Sequence, residues 1–492
     1  MHPQQHVLSR KHQSNPFAVY DNRYISLTAR IRLADAFTLA CKRQDCPTLS
    51  LIVTKLIDCL DRSLHSIVGY NQKSCAIHQE PLLRLALVSS LALAHRLMKL
   101  VRHWVHTTCT DIAPQLMCLD LYGAPFLTLV MHAAASVNHC ESLHAYIVLI
   151  DIFKTASIVV GIRQSLGPIL MKCIASQAAL SLHETDDRSL HRKALELIKL
   201  IVITTDIQIT PDLLTFICST IKSYLVRVFL PATVFLDWWA SLKSESFTEF
   251  CFVKDQLRDR QCLKFSVQIY LRAIANSSVE KTMQLINGPL SSVDDLLGLV
   301  YGFDFENVPI HLFELFADHD GELIALLEEL LRIHIAHLPE TTSESTPISR
   351  VAASLWACDP SRMLVMLLEI WNFDHTGLLD LVILDDTYFQ RYLVAYITFA
   401  RENPQSLRQA CQDMVERSLR PKSANLFEER DNGDESDDDA TDFLESTLST
   451  LSDLLQSIES AYAQQLITKD VSDVICALNL FFEIEPKINV FI

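Results

Sequence analysis

Ten glycines in 492 residues leave this chain few places to make a tight turn. That is about 2%, against a usual share of roughly 7%. Hairpins use Gly to reach positive φ, and parallel α/β enzymes need it for phosphate turns and close helix–strand packing. Hydrophobic residues make up 49%, ample for a continuous core. Scarce Gly beside abundant Leu, Ala and Ile therefore points to helices.

The apolar pattern agrees. From about residue 24 to 420, segments of helical period follow one another with short polar breaks. After Asp318-His319-Asp320-Gly321, the residues Leu323, Leu326, Leu327, Leu330 and Leu331 fall at i, i+3, i+4, i+7 and i+8, with Asp320 as the predicted N-cap. Thr376 is placed to cap a short helix carrying Leu378, Leu379 and Val382. Past the Asp385-Asp386 break, Phe389, Tyr392, Leu393 and Tyr396 share one face of the next helix. Residues 195–209 (LELIKLIVITTDIQI) are apolar nearly all round, which suits a helix covered on two sides, though the Val and Ile content also permits a buried strand. No repeat of fixed period recurs, which excludes tetratricopeptide and ankyrin arrays. Serial helices on short links predict an all-α fold, an irregular HEAT- or armadillo-like solenoid, with a compact multi-helix globule as the alternative.

Four regions emerge. Residues 1–23 begin with a polar run lacking a signal-peptide pattern and are expected to be a disordered tail of an intracellular protein. Residues 24–424 form the helical body. Residues 425–442 hold nine carboxylates and only Arg430 as a base, so −8 of the net −17 sits in an expected disordered acidic linker. Residues 443–492 resume order. Leu444, Leu448, Leu451, Leu455, Ile458 and Tyr462 make a narrow seam, and Val471, Val474, Ile475, Leu478 and Phe482 make a second helix, together a small C-terminal helical hairpin.

Charge and motif content narrow the function. Neither the linker nor the −9 remainder suits a phosphate-binding surface, which argues against direct nucleic-acid contact. The most apolar windows, 82–101 and 143–161, carry Arg84, Arg96, Lys99, Asp151 and Lys154 and read as core helices, not membrane spans. Fourteen cysteines without a CxxC pair read as reduced, mostly buried small hydrophobes. His139, Cys140 and His144, and likewise His103, His106 and Cys109, lie on neighbouring helical turns, but lack the paired clusters of a structural zinc site. Packing is the expected role, with no metal and no cofactor. No phosphate-binding glycine loop, nucleophile elbow or HExxH occurs, so no catalytic residue is assigned and the chain is read as a non-enzyme. The pairs Asp294-Asp295 and Asp385-Asp386 stand where helix starts need caps.

Three interaction candidates stand beside these readings. Trp238 and Trp239 are adjacent, about 100° apart on a helix, so one stripe cannot bury both; core packing competes with a groove position. Ser436, in GDESDDD, is a candidate phosphosite for an acidophilic kinase, beside the plainer role of a solubilising linker. The third candidate is Phe373-Asp374-His375. Phe373 is expected to pack ahead of a helix starting near Gly377, Asp374 or Thr376 to cap it, and His375 to extend the cap or face solvent.

The stretches HLFELFADHDGELIALLEELLRIH (311–334) and WNFDHTGLLDLVILDDTYFQRYLVAYITF (371–399), followed by an acidic spacer and a short helical pair, resemble the Lines family. The resemblance implies a long N-terminal region and a small C-terminal one. It also implies a non-enzymatic regulator of Wnt/Wingless- and Hedgehog-dependent patterning, nuclear and cytoplasmic, that binds zinc-finger transcription factors of the odd-skipped type. The chain departs from that pattern in lacking a strong basic import run; Lys42-Arg43 and Arg192-Lys193 are brief. A karyopherin-like transport or trafficking adaptor for basic cargo is the competing class, and a metalloenzyme built on the His/Cys groups is a third.

Overall fold

A computed structural model describes residues 87–102 in part, and 124–157, 168–203, 210–229, 259–276, 308–337, 358–384, 388–419, 438–467 and 470–483 apart from isolated positions. Every regular element among the described residues is an α-helix. None of them is long and apolar enough to cross a membrane. The chain divides into two compact units, Met1–Thr220 with Phe252–Phe265, and Ile221–Cys251 with Ser266–Ile492.

In the first unit, α1 (Ala124–Ala134), α2 (His139–Ala156), α3 (Pro168–Glu184) and α4 (Arg188–Ile203) layer on one another, α2 and α3 both against α4 and α1 against α2. Their starts follow capping chemistry. Asn138 accepts from the backbone N–H groups of Cys140 and Glu141, and Asp187 from those of Ser189 and Leu190 at 2.7 and 3.0 Å. Residues 195–203 are the last turns of α4, which decides helix over strand for that part; 204–209 lie outside the described residues. Buried charges here are matched. Asp151, 4% exposed, pairs with His95 and with Arg102 at 3.0 Å. Asp259, 1% exposed, takes both Arg188 and Arg192 while its other oxygen accepts from Gln261 N–H. Such pairing is the condition on which a carboxylate is buried at all.

The unit boundaries fall within α5 (Pro211–Phe229) and α6 (Arg260–Ala275). The second unit then holds α7 (Val308–Phe316), α8 (Asp320–His337), α9 (Pro360–Ile370), α10 (His375–Ile383), α11 (Phe389–Glu402), α12 (Pro404–Leu419), α13 (Asp438–Ala463) and α14 (Ser472–Phe482). All five leucines of the 323–331 pattern are buried on α8, as are Phe389, Tyr392, Leu393 and Tyr396 on α11. The cap of α8 differs from expectation. The His319 carbonyl accepts from Glu322 and Leu323 N–H at 3.0 Å each, and its ring Nδ1 lies 3.4 Å from Glu322 N, so Asp320 is the first helical residue instead.

Packing in this unit has a regular feature: each of α9, α10 and α11 lies against the helix three places further along, and α8 packs on α11. The C-terminal pair is thereby built into the body. α13 packs on α10 and α12, and α14 on α11, so the pair is not a hairpin held only to itself. Helix α13 also begins at Asp438, five residues inside the expected linker. The rest of that linker, 425–437, lies outside the described residues. Leu444, Leu448, Leu451, Leu455 and Ile458 form the buried seam of α13, but Tyr462 is 46% exposed. On α14, Phe481 is buried where the sequence pattern favoured Phe482.

Candidate functional site

Residues 371–374 join α9 to α10 through a left-handed turn. Phe373 N–H donates to the Leu368 carbonyl at 2.8 Å and Asn372 N–H to that of Glu369 at 2.9 Å, the paired bonds of a Schellman ending. Such an ending requires positive φ after the cap, and Asn372 (52°) supplies it; Asn is among the residues that tolerate this conformation best. Phe373 also has φ 56°, a conformation a bulky side chain adopts only when its surroundings hold it there.

The surroundings are α13. The Phe373 ring meets Phe443 edge-on, with centroids 5.8 Å apart and planes at 71°. The Phe373 carbonyl lies 3.2 Å from the Thr450 hydroxyl, which also reaches the Ser446 carbonyl at 2.7 Å. Asp374 then starts α10, accepting from Thr376 N–H at 2.9 Å and from the Thr376 hydroxyl at 2.7 Å. Thr376 is thus the donor to the cap, not the cap, and the helix begins at His375, not at Gly377. Hydrogen bonds from the Thr376 hydroxyl and backbone, aided by His375, hold the Asp374 carboxyl below its ordinary range.

His375 borders an open groove of about 380 Å³ whose other wall is one face of α13: Asp453, Gln456, Ser457, Ser460, Ala461 and Gln464, closed at the end by Leu466. These positions recur at i, i+3, i+4, i+7, i+8 and i+11, a continuous stripe beside the buried seam. Leu466 is 72% exposed and follows a second Schellman ending, with Leu466 N–H on the Ala461 carbonyl, Gln465 N–H on that of Tyr462, and Gln465 at φ 56°.

A buried polar network steadies the helices behind this turn. Asp359 caps α9 through Ser361 and Arg362 N–H, and the Ser406 hydroxyl at the start of α12 lies 2.9 Å from Asp359 and 2.8 Å from the Ser361 hydroxyl. The Tyr396 hydroxyl reaches Ser361 at 3.3 Å, and burial pushes its pKa well up. The cluster is a packing device joining α9, α11 and α12.

The other sequence candidates separate clearly. Phe373, Asp374 and His375 fall together on one turn against α13. His139 pairs with Asp187 at 3.0 Å, and His144 Nδ1 lies 2.8 Å from the Cys140 carbonyl and 3.8 Å from its sulfur. Among the described residues no group of three or more His, Cys, Asp or Glu is placed to hold a metal. Trp238, Trp239, Ser436, His103, His106, Cys109, Asp294, Asp295, Asp385 and Asp386 lie outside the described residues. Thr450, Phe443 and the 453–464 stripe went unnamed in the sequence; the stripe is visible there as period, but nothing local reveals that His375 would flank it.

Residues 262–411, from α6 into α12 and including this turn, match the family model described as Lines N-terminus. No curated protein and no solved structure matches the chain. The match covers both stretches that carry the resemblance, 311–334 and 371–399, and supports membership of the Lines family.

Proposed function

We propose that this protein is a non-enzymatic, protein-binding regulator of developmental signalling and transcription of the Wnt/Wingless type. It acts by binding transcription-factor partners, zinc-finger proteins of the odd-skipped type, in cytoplasm and nucleus. The observation that carries the reading is the groove at His375. The family's most recognisable local sequence ends in a side chain on the rim of an open cleft, built with a helix from outside the matched region. An open cleft walled by a helix face suits recognition of a peptide or helix. Small-molecule sites, by contrast, are enclosed and largely apolar. The three-place recurrence of helix contacts supports the solenoid architecture, which lends itself to such extended surfaces.

The test is titration of the full-length chain with a purified odd-skipped-type zinc-finger protein. Saturable binding that His375→Ala weakens, with the melting temperature unchanged, is the expected result. No binding to such a protein would overturn the partner assignment.

A further inference from the structure

We propose that the groove between His375 and the 453–464 face of α13 docks a basic, amphipathic helix of a partner protein, a cation of which pairs with Asp453 while a large apolar side chain seats against Ala461 and Leu466. This rests on the reading of the chain as a protein-binding regulator, and adds the site and the chemistry of the bound segment.

The groove has a polar end and an apolar end. Asp453 is the groove's carboxylate; it lies 3.4 Å from the Ser449 hydroxyl, and no cation lies within ion-pairing distance of it among the described residues. Leu466, 72% exposed, lines the groove with Ala461 toward the C-terminal end of α13. The stripe between them is made of Gln and Ser side chains, short or flexible enough to let another helix approach.

Charge selects the occupant. Helix α13 carries six carboxylates over 26 residues and no Lys, Arg or His, and α14 adds Asp473 with no base. The last turn of α13 adds the negative end of its dipole at the apolar end of the groove. An acidic or second like-charged surface is repelled there, and the chain's own net charge of −17 disfavours a second copy as the occupant. A segment bearing Lys or Arg gains both steering and a pairing partner.

The spacing of the ends sets the register. Asp453 and Ala461 are eight residues apart on α13, about 12 Å along its axis. A partner helix therefore presents its cation and its apolar anchor seven or eight residues apart, two turns along one face.

The experiment uses the full-length chain and a labelled synthetic helix of about 16 residues, with one Arg and one Leu at i and i+7. Two controls replace that Arg by Glu or that Leu by Ser, and fluorescence anisotropy reads binding. The Arg/Leu helix is expected to saturate the protein, and each control to bind about tenfold more weakly or worse. Raising salt from about 50 to about 200 mM should weaken the Arg/Leu helix but not the Glu control. Asp453→Lys and Leu466→Ser should each reproduce the loss without changing the melting temperature, and Asp453→Asn should give an intermediate one.

Equal binding of all three helices, no binding of any, or Asp453→Lys without effect would overturn the proposal. So would a dimer in sedimentation that Asp453→Lys dissociates, since the groove would then belong to a second copy. A zinc-finger partner that binds Asp453→Lys as tightly as the unaltered chain would refute this site and leave the proposed function standing. The synthetic helix binding as expected while no such zinc-finger protein binds would support the site and refute that partner.

Discussion

The ring of Phe373, held at φ 56° by the turn that ends α9, meets the ring of Phe443 edge-on at 5.8 Å on a helix seventy residues further along the chain. This contact, with Thr450 on the Phe373 carbonyl, joins the family-matched region to the C-terminal helix.

The contact is expected to be energetically coupled. Phe373 is half-buried, so Phe373→Ala should cost about 1–3 kcal/mol, less than the ~3–5 of a fully buried Phe. A double-mutant cycle with Phe443→Ala should return a coupling of about 0.5–1.5 kcal/mol from the edge-on pair. Strict additivity in urea unfolding would show that the rings are neighbours without interacting.

Asp374 gives a pH signature. Its folded pKa is lowered by the Thr376 hydrogen bonds, so its contribution is fully present above the ordinary carboxylate pKa of about 4 and is lost as pH falls through the lower folded value. The stability difference between the unaltered chain and Asp374→Ala should therefore be largest near neutral pH and shrink below about pH 4. A difference that stayed constant through acid titration would contradict an ionised cap.

Gly377 belongs to the same signature but has no structural need to be Gly. It lies in the first turns of α10, and a Cβ there would meet the Trp371 ring at 3.5 Å, an ordinary contact. Gly377→Ala should leave the fold intact and stabilise it by up to about 1 kcal/mol through helix propensity. Marked destabilisation in thermal melts would mean that the Trp371 ring cannot accommodate the methyl group.

The thiols should divide by burial. Burial pushes Cys218, Cys358 and Cys411 up to about 12, whereas Cys140, Cys173 and Cys476 are exposed. The thiolate is the reactive form, so maleimide at neutral pH should label the exposed three quickly and these buried thiols, with the equally buried Cys262, only after unfolding. Peptide mapping that found Cys358 labelled as fast as Cys476 would show that α9 opens locally in the native state.

Much of the helical body was legible because the 3.6-residue period writes the buried face directly into the sequence, as at Leu323–Leu331 and Phe389–Tyr396. The turn at 372–373 was not. Its left-handed residues are Asn and Phe, not Gly, and Phe373 is held by Phe443 and Thr450, which are distant in sequence. The cap of α8 slipped by one position for a similar reason, His319 acting where Asp320 could equally have served, whereas at α10 the sequence left Asp374 and Thr376 open and Asp374 is the cap. The linker boundary differs because the run of carboxylates through Asp442 reads as self-repelling coil, whereas α13 begins at Asp438. The groove was the least legible element, because its walls come from α10 and α13, which only packing brings together.

The most direct measurement of the central claim is hydrogen–deuterium exchange of the full-length chain with and without a saturating, purified odd-skipped-type zinc-finger protein. Binding at the His375 groove predicts slowed exchange in peptides covering 371–383 and 450–467, with α2 to α4 unchanged. Saturating partner with no protection anywhere, or protection confined to peptides away from those two segments, would contradict the account.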